Sequence, residues 1–233
     1  FAEELCKKVS VVPNGKSHGL VMFLDWSGSM TTHIGNTVKQ LLNLVMFCKK
    51  VNIPFEVYSF VEESYKMHRP IPKNGDLRVD PFALINILSN RMSTREFTIA
   101  AGALMSMAGI GCYHRAGYTP DFMRFSSTPL NQSIIAAMEL VPEFQKRNKL
   151  QVVNTVFLTD GESDLLNFKY SADGQYENLP FGYSYSSKLF RSVVLRDPKT
   201  MHQEKYNSRG IGPDSQTNAL IALLKHRTNS HVI

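Results

Sequence analysis

Residues 20–29 read LVMFLDWSGS, and this stretch decides the fold. Its first five residues form a continuous apolar run without alternation, which is typical of a β-strand covered on both faces. Polar residues follow at once, beginning with Asp25. We therefore predict a central strand that ends in a polar loop.

Strand and helix patterns alternate along the chain. Apolar residues recur at helical spacing over residues 34–50, 129–141 and about 215–224. Strand patterns are found over residues 55–60 and 152–158. This alternation predicts an α/β fold, a doubly wound and mostly parallel Rossmann-like sheet with helices on both faces.

Residues that cap or start helices support these assignments. Pro129 is suited to a first helical turn, and Asp214 or Ser215 can cap the last helix. In the less regular middle of the chain, residues 81–88 and 96–107 also favour helices. We therefore predict two further helices there.

The length of 233 residues fits one domain with an insertion. Residues 163–207 are rich in aromatic side chains among Gly, Ser and Asn, and they contain a β-like run at 189–195. We interpret them as an inserted hairpin or long loop. We expect a lead-in at residues 1–17 and one domain over residues 18–233, whose last strand begins at His231 and is truncated. The chain is interpreted as an excerpt of a longer protein.

Composition argues against a membrane-spanning protein and against a nucleic-acid-binding protein. No run approaches the ~18 apolar residues of a membrane-spanning helix. The formal net charge is +6, from 26 Lys and Arg against 20 Asp and Glu. Because the basic residues are spread along the chain, a nucleic-acid interface is not favoured.

The three cysteines, Cys6, Cys48 and Cys112, cannot all be paired, so we expect a reducing cytoplasm.

Oxygen-bearing side chains stand where three loops are expected to meet. In a doubly wound sheet, ligands bind at the carboxyl ends of the strands. The candidate ligands are hydroxyls and carboxylates on three loops: Asp25, Ser27 and Ser29 after residues 20–24, one of Ser126, Ser127 and Thr128 before residue 129, and Asp160 after residue 158. Without His or Cys, such a set makes a hard site that suits Mg²⁺ or Mn²⁺ rather than zinc. Gly28 is expected to permit a backbone geometry that other residues would resist.

The motif Asp-Trp-Ser-Gly-Ser at residues 25–29, with Thr128 and residues 159–161 (TDG) downstream, resembles the metal-ion-dependent adhesion site of von Willebrand factor A domains. The resemblance spans the order of elements from about residue 18 to residue 233. It implies that the ion is bound, directly or through water, by Asp25, Ser27, Ser29, Thr128 and Asp160. It also implies that an acidic side chain of a protein partner completes the ion's shell.

Within this family, the chain is more similar to intracellular members than to integrins. Residues 25–30 (DWSGSM) and 127–131 (STPLN) resemble the CobT-type subunit of cobaltochelatase, and residues 12–19 resemble CobT-like proteins of tailed bacteriophages. This resemblance implies an AAA+ ATPase partner of the MoxR or CobS type and a cytoplasmic location, which is the host cytoplasm for a phage protein. The aromatic insertion departs from the simplest family pattern and leaves the choice of partner open.

Structural interpretations compete for some of these residues. Ser29 or Thr31 can cap the helix that follows the first strand. Trp26 either packs on its own loop or forms a partner-binding rim with Ser127 and Glu162. The sequence alone does not decide between these alternatives.

A second function class is also open. The chain can be the catalytic part of a metal chelatase or of a metal-dependent hydrolase, which needs a general base near the ion. The candidates for that base in the sequence are Glu162, Asp164 and distant His residues. Turnover that depends on one of them, with binding intact, would favour this alternative over a binding module.

Overall fold

The structure is a computed structural model, and it describes residues 17–62, 76–112, 120, 123–161, 163–166, 192–207 and 215–233, with the backbone alone for residues 110–112. The predicted lead-in up to residue 16 lies outside these ranges. The aromatic-rich residues 167–191, Asp214 and Glu162 lie outside them as well.

The central sheet has five strands in the order β3-β2-β1-β4-β7. The elements follow in chain order: β1 (His18–Asp25), α1 (Ile34–Lys50), β2 (Phe55–Glu62), β3 (Phe82–Ser89), α2 (Thr94–Cys112), α3 (Leu130–Arg147), β4 (Val152–Leu158), β5 (Ser192–Arg196), β6 (Gln203–Asn207), α4 (Gln216–Thr228) and β7 (His231–Val232). Strand β1 pairs in parallel with β2 and β4, and β4 pairs in parallel with β7. The predicted mostly parallel α/β sheet is confirmed, and it is compatible with a Rossmann-like fold.

Strand β1 lies at the centre, as its apolar sequence predicts. Alternate side chains enter two separate cores: Met22 and Leu24 pack with α1 and α2, whereas Val21 and Phe23 pack with α3 and α4. All four side chains are fully buried. A strand covered on both faces needs apolar residues at every position, which explains why residues 20–24 show no alternation.

The helix predicted over residues 81–88 is wrong, because this segment is strand β3. It pairs antiparallel with β2, with a register irregularity beside Val57 and Tyr58. Pro81 resembles a helix start, but proline is equally tolerated just before an edge strand. A short apolar run does not distinguish the two structures by its periodicity.

The described end of the predicted insertion is a hairpin formed by β5 and β6. Asp197 at its turn accepts a hydrogen bond from the backbone N–H of Lys199 and forms a 3.2 Å ion pair with Arg227 of α4. Tyr206 of β6 is buried and receives a 3.0 Å hydrogen bond from Gln216. These contacts fix the hairpin on the face of α4.

The start of the last helix agrees with the sequence. Ser215 is its N-cap, and the Ser215 hydroxyl accepts a 3.2 Å hydrogen bond from the backbone N–H of Asn218. Pro129 immediately precedes α3 rather than standing inside its first turn. Among the described helices, none is long and apolar enough to cross a bilayer.

Gly19 of β1 lies so close to the side chains of Phe144 and Leu150 that a larger residue would require them to shift. A Cβ atom there would lie 2.3 Å from Leu150 Cδ1 and 2.8 Å from Phe144 Cε1. We expect Gly19→Val to destabilise the fold by about 1–3 kcal/mol through overpacking. Urea denaturation measures the change.

Gly102 provides the matched control for this substitution. It lies in α2 and is exposed, and a Cβ atom added there would meet no heavy atom within 4 Å. Gly102→Ala is therefore expected to stabilise the fold by about 0.5–1 kcal/mol through helix propensity. Equal effects of the two variants would contradict the packing account of Gly19.

Candidate functional site

The carboxyl ends of β1 and β4 place two of the predicted loops side by side. Leu24 is in register with Leu158, so Asp25 and Thr159 follow at neighbouring positions in the sheet. The Thr159 hydroxyl donates a 2.7 Å hydrogen bond to Asp25 Oδ2. The prediction that these loops meet is therefore confirmed by the register of the strands.

A chain of hydrogen bonds joins four of the five predicted ligands. The backbone N–H of Ser27 donates to Asp25 Oδ1 at 2.8 Å. The hydroxyls of Ser27 and Ser29 lie 3.0 Å apart, and the Ser29 hydroxyl donates to Asp160 Oδ1 at 2.9 Å. Residues separated by more than 130 positions in the sequence thus form one cluster of oxygen atoms.

The third predicted loop reaches the cluster through its backbone. Gly28 N–H donates to the carbonyl of Ser126 at 2.8 Å, and Ser27 forms a parallel bridge with Ser126. Thr128 follows two residues later and is half-buried. Its hydroxyl takes part in none of the hydrogen bonds found among the described residues, so hydrogen bonds join its loop, but not its hydroxyl, to the other four ligands.

Asp25 is a buried acid close to a second acid. Its side chain is fully buried. Burial raises the pKa of Asp25, and the nearby Asp160 carboxylate raises it further, against the opposing hydrogen bonds from Thr159 and Ser27. Within the described ranges, no Lys or Arg forms an ion pair with Asp25 or Asp160. A buried carboxylate without a cationic partner is unfavourable, and a bound cation would offset that cost.

The donor set fits a hard divalent cation. It consists of two carboxylates and hydroxyl groups, with oxygen as the only donor atom. Mg²⁺ and Mn²⁺ prefer such ligands. Among the described residues, no three or more His, Cys, Asp and Glu side chains are grouped so that they could hold a metal ion. The candidate site therefore depends on two carboxylates together with hydroxyl groups.

The helix-capping alternative is wrong for Ser29. The short 3-10 turn at Ser29–Thr32 and helix α1 both begin without a side-chain cap. The Ser29 hydroxyl instead faces Ser27 and Asp160, and the Thr31 hydroxyl donates to the carbonyl of Gly28. Ser29 is therefore available for the cluster.

The expectation for Gly28 is also wrong. Its φ of −61° and ψ of −34° are ordinary right-handed helical values. A Cβ atom there would lie 3.6 Å from the Ser126 carbonyl oxygen, which is normal contact. Neither the backbone angles nor the space around Gly28 requires glycine.

Trp26 does not belong to a partner-binding rim. It is fully buried, stacks on Phe125 with ring centroids 5.2 Å apart, and its Nε1 donates to the carbonyl of Met123 at 2.9 Å. A side chain without exposed surface cannot contact a partner, so its packing role is the correct alternative. Ser127, by contrast, is exposed beside the cluster. Glu162, the third predicted rim residue, lies outside the described residues.

Two residues that contribute to the site, Thr159 and Glu62, are not predicted from the sequence. Thr159 stands next to Asp160 in the quoted motif, and its hydroxyl orients Asp25 while also receiving the Gly161 N–H. Glu62 lies at the end of β2 and accepts hydrogen bonds from the Ser126 hydroxyl and, at 3.3 Å, the Ser127 N–H. Nothing near Glu62 in the sequence signals a contact with a loop more than 60 residues away.

A partly buried polar network joins these loops to the last helix. The Ser163 hydroxyl donates to the carbonyl of Thr128 and accepts from the N–H of Asn131. The Asn131 side chain in turn donates to Gln216 and accepts from Thr217 at the start of α4. The loops after β4 and before α3 are therefore attached to each other and to the last helix.

Comparison with known proteins finds no family model, no curated protein and no solved structure that matches the chain.

Proposed function

We propose that the chain is a von Willebrand factor A-type domain that binds one divalent cation, Mg²⁺ or Mn²⁺, and captures an acidic side chain of a protein partner. The observation that carries the proposal is the meeting of three loops around Asp25, a buried carboxylate that no Lys or Arg of the described residues neutralises. The ion would be held by Asp25, Ser27, Ser29, Thr128 and Asp160, directly or through water.

The chain's own residues have separate tasks in this account. Asp25 and Asp160 supply negative charge, and the hydroxyls of Ser27 and Ser29 supply neutral oxygens between them. Thr159 holds the Asp25 carboxylate in place. When bound, the ion supplies a positive charge with a coordination position open to a carboxylate. We assign Ser127, which is exposed and precedes Thr128, to the partner-binding rim.

The sequence resemblance supplies the class of partner. We infer an AAA+ ATPase of the MoxR or CobS type, acting with a CobT-like chain in the cytoplasm. A role as the catalytic part of a metal chelatase or hydrolase is the competing proposal. Metal-dependent binding without turnover favours the binding module, whereas turnover that requires Asp164 or Glu162 favours the enzyme.

Water-proton relaxation with Mn²⁺ as the probe tests the open position. We expect Mn²⁺ bound to the protein to enhance the relaxation of water protons, because water occupies and leaves that position. Acetate, which presents a single carboxylate, should reduce the enhancement, and acetamide should not.

Asp25→Asn is the control, and it should show no enhancement beyond that of free Mn²⁺. An enhancement in the wild-type protein that acetate leaves unchanged would contradict capture of a carboxylate. Absence of enhancement in the wild-type protein would contradict the open site itself.

A further inference from the structure

Glu62 contacts the loop that carries Thr128 at Ser126 and Ser127. It is the last residue of β2, the neighbour of β1, and its side chain is exposed. Both of its contacts use one oxygen, Oε2, which accepts from the Ser126 hydroxyl and from the Ser127 N–H. The hydrogen bond from Ser126 lowers the pKa of Glu62, against the opposing effect of burial, so the carboxylate is ionised at neutral pH.

The same loop is fixed at two further points. The Ser126 carbonyl accepts from Gly28 N–H at 2.8 Å, and the Thr128 carbonyl lies 3.3 Å from the Ser163 hydroxyl, which also has the Asp164 carbonyl as an acceptor at 3.0 Å. Ser127 lies between these points, and Glu62 is the side chain that contacts its N–H. Glu62 therefore restrains the residue immediately before Thr128.

We propose that Glu62 is a positioning residue that sets the affinity of the metal site by holding the Ser126–Thr128 loop, without itself binding the ion. This inference rests on the proposed metal-binding function. Residues that orient metal ligands without touching the metal commonly change affinity by about 10–100-fold when they are replaced. The alternative is that the negative charge of Glu62 raises the affinity only by long-range electrostatic attraction of the cation.

The use of a single oxygen makes these two roles separable. Glu62→Gln keeps a carbonyl oxygen that can accept both hydrogen bonds but removes the charge. Glu62→Ala removes both. Titration calorimetry with Mn²⁺ alone should show a loss of about 10-fold or more in Glu62→Ala and an affinity close to wild type in Glu62→Gln. Glu143→Ala, at an exposed position of α3, removes a charge away from the loop and should change nothing.

Ser126→Ala tests the contact from its other end. It removes one of the two donors to Glu62, so it should weaken Mn²⁺ binding less than Glu62→Ala does. Adding Glu62→Ala to Ser126→Ala should cost less than Glu62→Ala alone, because the two residues share a contact. Melting in EDTA shows whether each variant is folded.

The outcomes separate the inference from the function beneath it. Wild-type affinity in Glu62→Ala, or an equal loss in Glu62→Gln and Glu62→Ala, would overturn the positioning role while metal binding stands. Strictly additive losses in Glu62→Ala and Ser126→Ala would also overturn it. Absence of Mn²⁺ binding in the wild-type protein would overturn both the inference and the proposed function.

Discussion

Asp25→Asn is expected to change the melting temperature in opposite directions with and without Mg²⁺. In EDTA the variant should melt higher than the wild-type protein, because it removes a buried negative charge that Asp160 repels. Asparagine keeps an oxygen for the Ser27 N–H, and the Thr159 hydroxyl can turn to accept from its amide. With Mg²⁺ present, the order should reverse.

The reversal follows from ligand binding. At about 100 times the dissociation constant, Mg²⁺ stabilises the wild-type protein by about 2.7 kcal/mol. The variant should gain little, since it lacks a proposed ligand. Asp80→Asn, a partly exposed acid in a surface ion pair, should respond to Mg²⁺ as the wild-type protein does. A lower melting temperature for Asp25→Asn in EDTA, or an undiminished response to Mg²⁺, would contradict this account.

The same charge predicts a pH dependence in EDTA. Burial raises the pKa of Asp25 in the folded protein above its ordinary value of 3.8. The ionised group therefore destabilises the fold at neutral pH, and this cost disappears as the pH falls through the raised pKa towards 3.8. The stability difference between Asp25→Asn and the wild-type protein should shrink over that interval, as measured by urea denaturation.

Trp26→Ala is expected to destabilise the fold by about 3–5 kcal/mol, as is typical when a large aromatic side chain is removed from a core. The residue is fully buried, stacks on Phe125 and donates to the Met123 carbonyl. Because it is the single tryptophan of the chain, circular dichroism rather than fluorescence must follow the denaturation.

Phe47→Ala is the matched control for Trp26. Phe47 is a large aromatic residue of α1 that is 57% exposed. Its removal should change stability by no more than about 0.5 kcal/mol. A Trp26→Ala variant as stable as wild type, with partner binding lost, would restore the rim role that the structure argues against.

The sequence predicts best those elements whose pattern depends on burial alone. The apolar run of β1 is short and ends directly at polar residues, whereas the helical spacing of α1 continues over 17 residues, and both elements are found where predicted. Residues 82–89 are different, because an edge strand that is only partly buried gives a weak pattern and Pro81 imitates a helix start. Pairing with β2 decides that segment, and pairing partners are not visible in a local pattern.

The candidate site also contains some features that the sequence predicts and others that it does not. Asp25 and Asp160 could be placed together because both stand at the carboxyl ends of parallel strands. The burial of Trp26 could also have been predicted, since Met22, Leu24 and Trp26 continue one alternating series towards the core of α1 and α2. The contact of Glu62 with Ser126 could not be predicted, because it depends on how an irregular loop passes the end of β2.

Calorimetric titration of the wild-type protein with Mn²⁺, beside Asp160→Asn and Thr128→Ala, tests the central claim most directly. The two variants alter proposed ligands in separate loops, after β4 and before α3, and Thr128 is the one ligand that no described hydrogen bond joins to the others. The account predicts one bound ion per chain in the wild-type protein and weaker binding in both variants. Failure of the wild-type protein to bind Mn²⁺ saturably, or wild-type affinity in both variants, would contradict a metal site built from these loops.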